Sequence, residues 1–194
     1  MLLTKELPEW VDIGGIAYPI NTDFRAGIEF ETLVQKGCLS YIELLTPYFG
    51  DNIPRDYERA LQAVMLFYCC GEVSESKGQV KSTKQSYSFE ADSAAIYADF
   101  WRYYGLNLWK DTLHWWVFRA LLTGLPENSE FQQRVYYRTC DTKDLPKNEK
   151  KRILKIREKI AIRDNSRPKM TLEERNKAMK DYIARRANET AGGG

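Results

Sequence analysis

The densest aromatic run in the chain is Leu113-His114-Trp115-Trp116-Val117-Phe118-Arg119-Ala120-Leu121-Leu122. Leu113, Trp116, Val117, Ala120 and Leu121 recur at the spacing of one helix face, with Trp115, Phe118 and Leu122 as a second stripe beside it. A helix apolar on two faces is normally wrapped by other helices rather than laid on a surface. The pattern predicts a helix from about Asp111 to Thr123 at the centre of a small helical domain.

Other elements follow from periodicity and punctuation. Val11-Asp12-Ile13 and Ile16-Ala17-Tyr18 flank Gly14-Gly15, the signal of a two-residue hairpin, with Pro19 ending the second strand. Thr22 or Asp23 is placed to cap a helix from Phe24 that stops at Gly37. A short helix from Ser40 to Leu45 is expected to break at Pro47. Pro54 then opens a helix whose apolar positions are Tyr57, Leu61, Val64, Met65 and Tyr68, closed by Gly71. Residues 72–86 are polar and aperiodic and read as a mobile loop. Asp92 is expected to cap a helix through Ile96, Phe100, Tyr103 and Tyr104, ended by Gly105. Ser129 starts another, with Phe131, Val135 and Tyr136 inward.

After Asp141 the character changes. Residues 146–162 form a basic amphipathic segment with a narrow stripe of Ile153, Ile156 and Ile160, and Lys150, Lys151, Arg152, Lys155, Arg157 and Lys159 around it. Thr171-Leu172-Glu173-Glu174 matches a capping box for a last helix to about Arg186, and Ala191-Gly192-Gly193-Gly194 reads as unstructured. The fold class is therefore mainly α: a compact bundle with a short N-terminal β-hairpin (1–142) and a basic helical tail (143–194).

The charges sharpen this division. Residues 1–142 hold 13 Lys/Arg against 19 Asp/Glu, and residues 143–194 hold 16 against 8, so the formal net charge of +2 conceals an acidic body and a basic end. That asymmetry is a partner-binding pattern. A solvated helix face, or a docking arm for an acidic protein surface, fits the tail better than a nucleic-acid track, because Tyr182 is its one aromatic and four glutamates interrupt the basic run. No apolar run of membrane-spanning length occurs, and the first residues lack the pattern of a signal peptide, which points to a cytoplasmic protein.

Candidate chemistry is sparse. The cysteines Cys38, Cys69, Cys70 and Cys140 form no Cys-x-x-Cys pair and His114 is the single histidine, which disfavours a zinc site. Asp111 and His114, three apart on the expected helix, could touch, but no nucleophile motif accompanies them. Arg119, four residues after Trp115, is placed to stack on the indole and to tie the aromatic helix to an acidic neighbour. Gly14-Gly15 lacks any phosphate-loop continuation, and Glu29, Glu31 and Glu43 have no metal-ligand spacing. The residues argue against an enzyme, a cofactor or a metal site.

Tyr18-Pro19-Ile20-Asn21-Thr22-Asp23-Phe24-Arg25 resembles the opening of the bacteriophage gene-product-fifteen family. Ile96-Tyr97-Ala98-Asp99-Phe100, Tyr104-Gly105-Leu106-Asn107-Leu108 and the Leu113-to-Leu125 run resemble its central block, and Tyr137-Arg138 with Asp141 fit the end of that block. Leu113, His114, Trp115, Trp116, Phe118 and Arg119 are the core of the motif. The resemblance implies a protein of tailed phages and prophages, encoded between tail-tube and tape-measure genes. It implies a tail assembly chaperone whose partners are the tape-measure protein and the tail-tube protein. Apart from the resemblance, a homo-oligomer is a further expectation. The alternatives are a minor structural component of the particle, or nucleic-acid binding through the basic tail. The glycines at 192–194 would also suit a programmed frameshift to a longer product.

Overall fold

A computed structural model of the chain describes residues 4–72 and 85–162. Most of the polar 72–86 segment, the expected last helix and the glycine end lie outside the described residues. Within them the fold is seven helices and one hairpin, a mainly α architecture as the periodicity predicts.

Strands β1 (Trp10–Ile13) and β2 (Ile16–Pro19) pair antiparallel, Trp10 opposite Pro19 and Ile13 opposite Ile16. Gly14 and Gly15 both take positive φ, the requirement of a two-residue turn whose twist matches the strands. Helix α1 (Phe24–Gln35) is capped by Asp23, whose side chain accepts from the Arg25 N–H. Helix α2 (Tyr41–Phe49) follows, capped by Ser40, and runs past Pro47. The expected break at Pro47 is corrected by packing. A proline in the last turn loses one N–H donor, and Leu44, Leu45, Tyr48 and Phe49 around it are all buried.

Helix α3 (Tyr57–Tyr68) begins at the cap Asp56, later than Pro54 indicates, and buries Ala60, Val64 and Phe67. Met65, expected inside, is exposed. Helix α4 (Phe89–Tyr104) ends at the left-handed Gly105 as expected, but its cap is Ser88. Asp92 lies one turn inside and is fully buried. Helix α5 (Trp115–Thr123) starts later than expected. Helix α6 (Glu130–Thr139) is capped by Ser129 as expected, and buries Phe131 while Tyr136 faces solvent. Helix α7 (Lys147–Lys159) buries Ile153.

Helix α1 packs on α2 and α5, α2 on α3, α3 on β1, α4 on α6, and α6 on α7. One core joins these layers, and its largest fully enclosed side chains are Trp115, Tyr48, Phe30, Phe100 and Phe118. Phe118 stacks on Phe24 at 4.8 Å and on Phe100 at 5.1 Å, so three helices meet on one ring. No described helix is long and apolar enough to cross a membrane.

The charge step at 142/143 is not a packing boundary. The first compact unit runs from Met1 to Arg163 and includes α7. Ile153 is buried, Arg138 Nε donates to the Ile160 carbonyl at 2.9 Å, and Arg157 donates to the carbonyls of Tyr137 and Cys140. A basic helix with one apolar edge docks when a neighbour offers carbonyl acceptors to its arginines.

Tyr48 supplies a test of the core. Its hydroxyl is buried and has no hydrogen-bond partner among the described residues, and burial pushes its pKa far up. An unpaired buried hydroxyl costs free energy that a phenylalanine avoids. Tyr48→Phe should leave stability unchanged or raise it by roughly 1 kcal/mol in urea unfolding. A clear loss would mean that the hydroxyl is satisfied in solution.

Candidate functional site

The Leu113–Arg119 motif is built into the interior. Before α1 and before α5 the backbone forms an isolated antiparallel bridge between Asp23 and His114. Phe24 N–H donates to the Leu113 carbonyl at 2.9 Å and Trp115 N–H to the Thr22 carbonyl at 2.7 Å. This bridge holds Leu113 and His114 extended, so they precede α5 instead of belonging to it. His114 is the cap of α5. Its Nδ1 accepts from the Trp116 N–H at 3.0 Å, which leaves Nε2 to donate to the Pro8 carbonyl, also at 3.0 Å. Both ring nitrogens are occupied by backbone. Asp111 does not touch His114. It closes its own turn, accepting from the Asn107 N–H at 2.7 Å.

The two tryptophans finish α3. Trp115 Nε1 donates to the Tyr68 carbonyl at 2.9 Å and Trp116 Nε1 to the Phe67 carbonyl at 2.8 Å. A helix leaves its last carbonyls unpaired, and here an indole pair supplies the donors. Trp115 lies flat against Gly27 of α1, where a Cβ would come within 2.3 Å of the ring. The buried stripe of α5 is Trp115, Phe118 and Leu122. The Leu113–Trp116–Val117–Ala120–Leu121 face, the more complete one by spacing, is partly exposed.

Arg119 sits over the rings of both Trp115 and Tyr68, at 5.6 Å from each centroid. Its acidic neighbour is Glu31, a buried carboxylate that the sequence offers only as an unpaired acid. Glu31 Oε2 accepts from the hydroxyls of Tyr68 and Tyr87, and Oε1 accepts from Gln35 at 2.8 Å. Burial first, and the Glu31 charge second, push both tyrosines far above their ordinary pKa. They are hydrogen-bond donors at any ordinary pH.

A second polar node escapes sequence reasoning altogether. Asp92, with 0% of its side chain exposed, receives Arg138 through both oxygens at 2.6 and 2.8 Å, and Arg134 at 3.4 Å. Asp99 accepts from the N–H groups of Glu130 and Phe131, capping α6 from α4. The partners stand tens of residues apart, and no local spacing links them.

The motif therefore organises the core, and its polar groups are engaged by the chain itself. Three surfaces stand out. Val34, Leu39, Tyr41 and Ile42, all large and exposed, bracket the turn between α1 and α2. On α7, Lys150, Lys151, Arg152, Lys155 and Lys159 are exposed and make no ion pair among the described residues. Arg157, expected among them, is turned inward onto α6. Third, Tyr97 stacks on Trp109 at 5.0 Å and on Trp101 at 6.5 Å. Trp109 is 82% exposed and Trp101 54%.

Trp109 is held in place nonetheless. Asn107 Oδ1 accepts its N–H at 3.1 Å, and Lys110 and Asp111 N–H groups return to the Asn107 carbonyl. Arg25, paired with Asp23 at 2.8 Å, donates to the carbonyls of Leu108 and Asp111. The indole is thus both exposed and held, by a pinned backbone and by the ring of Tyr97. Among the described residues no group of three or more His, Cys, Asp or Glu is arranged to hold a metal ion.

The stretches that resemble the family's blocks in sequence are thus in mutual contact: Thr22–Arg25 lies on Leu108–Trp115, and Asp99 on α6. Neither a curated protein nor a solved structure matches the chain. A family model described as Bacteriophage Gp15 protein matches residues 3–162, and the chain accordingly belongs to this bacteriophage family.

Proposed function

We propose that the protein is a non-enzymatic tail assembly chaperone, acting in the host cytoplasm to cover the apolar stripes of a tape-measure protein before the tail tube closes around it. The observation that carries this reading is the exposed apolar group at the α1–α2 turn: Val34, Leu39, Tyr41 and Ile42, with Leu39 66% exposed. Burying one such side chain fully is worth roughly 1.5–3 kcal/mol, so a single site binds weakly. Many copies along one long helix would bind through avidity. The basic face of α7 is suited to recruit an acidic second partner, such as a tail-tube subunit, with an affinity that falls as salt rises.

The test is co-expression with the product of a neighbouring long helical reading frame. The soluble fraction of that product should rise several-fold with this protein. Leu39→Asp combined with Ile42→Asp should abolish the rise without moving the thermal unfolding midpoint. Unchanged solubility with the intact protein would refute the reading. Recovery of the protein from purified finished particles would replace it with a structural role in the virion.

A further inference from the structure

The exposed side of α4, with the Tyr97–Trp101–Trp109 surface at its edge, has a pattern that the proposed function does not use. Ile96 is buried at 3%, and the residues diametrically opposite it are Ala91, Ala94, Ala98 and Trp101, all exposed. Their separations alternate three, four and three, the spacing of a seam between two helices. No charge interrupts this strip. Glu90, exposed and paired with Lys36 of α1 at 3.3 Å, stands at its N-terminal end and Arg102 at its C-terminal end. Trp109, fixed against Tyr97, raises one edge.

We infer that this face pairs antiparallel with the same face of a second copy of the chain. The strip is symmetrical about Ile96. Antiparallel pairing therefore puts Ala91 in one layer with Trp101 of the second copy, and Ala94 in one layer with Ala98. A large side chain meets a small one at each end, and two small ones let the backbones approach at the centre. A parallel pair would set Trp101 against Trp101 and bring the two Glu90 carboxylates together. The antiparallel pair brings the Glu90 end of one helix level with the Arg102 end of the other, and opposes the two helix dipoles. An interface of this kind is isologous, the usual form of a two-fold dimer.

The area admits a reversible pair. Aromatic side chains bury about 150–250 Å² each, so Trp101 and Trp109 at their observed exposures contribute on the order of 300 Å² per copy. The alanines and Tyr97 bring the total to about 600 Å² per copy, below the roughly 800 Å² per partner of a standard interface and suited to a weak, reversible pair. This self-association uses neither the α1–α2 turn nor α7. It stands whether or not the chaperone reading does.

Sedimentation equilibrium of the full chain, without any partner, tests it. The intact protein should show a reversible monomer–dimer equilibrium as its concentration is raised through the micromolar range. Ala94→Glu, at an exposed helical position, should weaken dimerisation about 100-fold by setting a charge into the seam. Its circular dichroism and thermal midpoint should match the intact monomer. Ala98→Lys should do the same. Mixing the two variants should restore a heterodimer, because positions 94 and 98 share a layer only in the antiparallel pair. An intact protein that is monomeric throughout, a dimer indifferent to Ala94→Glu, or a mixture that stays monomeric would each overturn the proposal.

Discussion

Arg138→Met is expected to destabilise the protein by about 3–5 kcal/mol, the usual cost of leaving a buried carboxylate without its partner. Asp92 is fully buried, and Arg138 meets both of its oxygens while also donating to the carbonyls of Ser86 and Ile160. One guanidinium thus ties α4, α6, the end of α7 and the segment before α4. Equilibrium unfolding in urea measures the loss. Asp92→Leu combined with Arg138→Met should recover much of it, since the penalty lies in the orphaned charge. A loss below about 1 kcal/mol would place the pair among exposed ion pairs, which contribute little.

The same node sets an acid dependence. Burial works against the Asp92 charge, but Arg138, the Ser88 N–H and Arg134 outweigh it and hold the carboxyl below its ordinary 3.8. A carboxylate depressed in the folded state contributes stability that is complete above the ordinary value and lost as pH falls through the native one. In Arg138→Met burial is no longer opposed in full, and the Asp92 pKa should rise. The variant's deficit should then be largest at neutral pH and shrink toward pH 4. A deficit that stays constant from pH 7 to pH 4 would rule out this charge-based explanation.

Gly27→Ala should be the most damaging methyl addition among the described glycines. Alanine improves helix propensity by about 1 kcal/mol over glycine, so an exposed site would gain. Here the new Cβ would lie 2.3 Å from Trp115 Cε3 and 2.5 Å from Cδ2, within a ring that is itself fully enclosed. Either α1 withdraws or the indole turns, and the indole is bound to the Tyr68 carbonyl. A net loss of about 2–3 kcal/mol is expected, since overpacking usually outweighs a propensity gain. Trp115→Ala should cost about 3–5 kcal/mol by opening a cavity and freeing a carbonyl at the end of α3. Trp115→Phe in the Gly27→Ala background should be less harmful than the two single effects added together. Strict additivity in that cycle would show that the contact is not the cause.

The candidate site was partly legible. Arg119 over Trp115 follows from a spacing of four on one helix, and the observed guanidinium sits over that indole. The exposed cations of α7 likewise follow from a narrow isoleucine stripe, except Arg157, which carbonyls of α6 draw inward. The display of Trp109 was not legible. It depends on Arg25 reaching across to a turn far along the chain, and nothing near Trp109 in sequence signals that support.

The amino-acid sequence by itself determined what is decided within a few residues. Gly14-Gly15 can turn only where positive φ carries no steric cost, Asp23 and Ser129 accept the free N–H groups of the next turn, and Gly105 ends α4 in a left-handed conformation. Only the tertiary structure decided which stripe of α5 goes inside. Both stripes are apolar, and Trp115 is the indole that goes inside, flat against Gly27 of α1 where a Cβ would leave it no room. It also decided that Asp92 is a buried ligand of two arginines instead of a helix cap. A charge can sit in the interior only when distant partners neutralise it, and distance along the chain carries no record of that meeting.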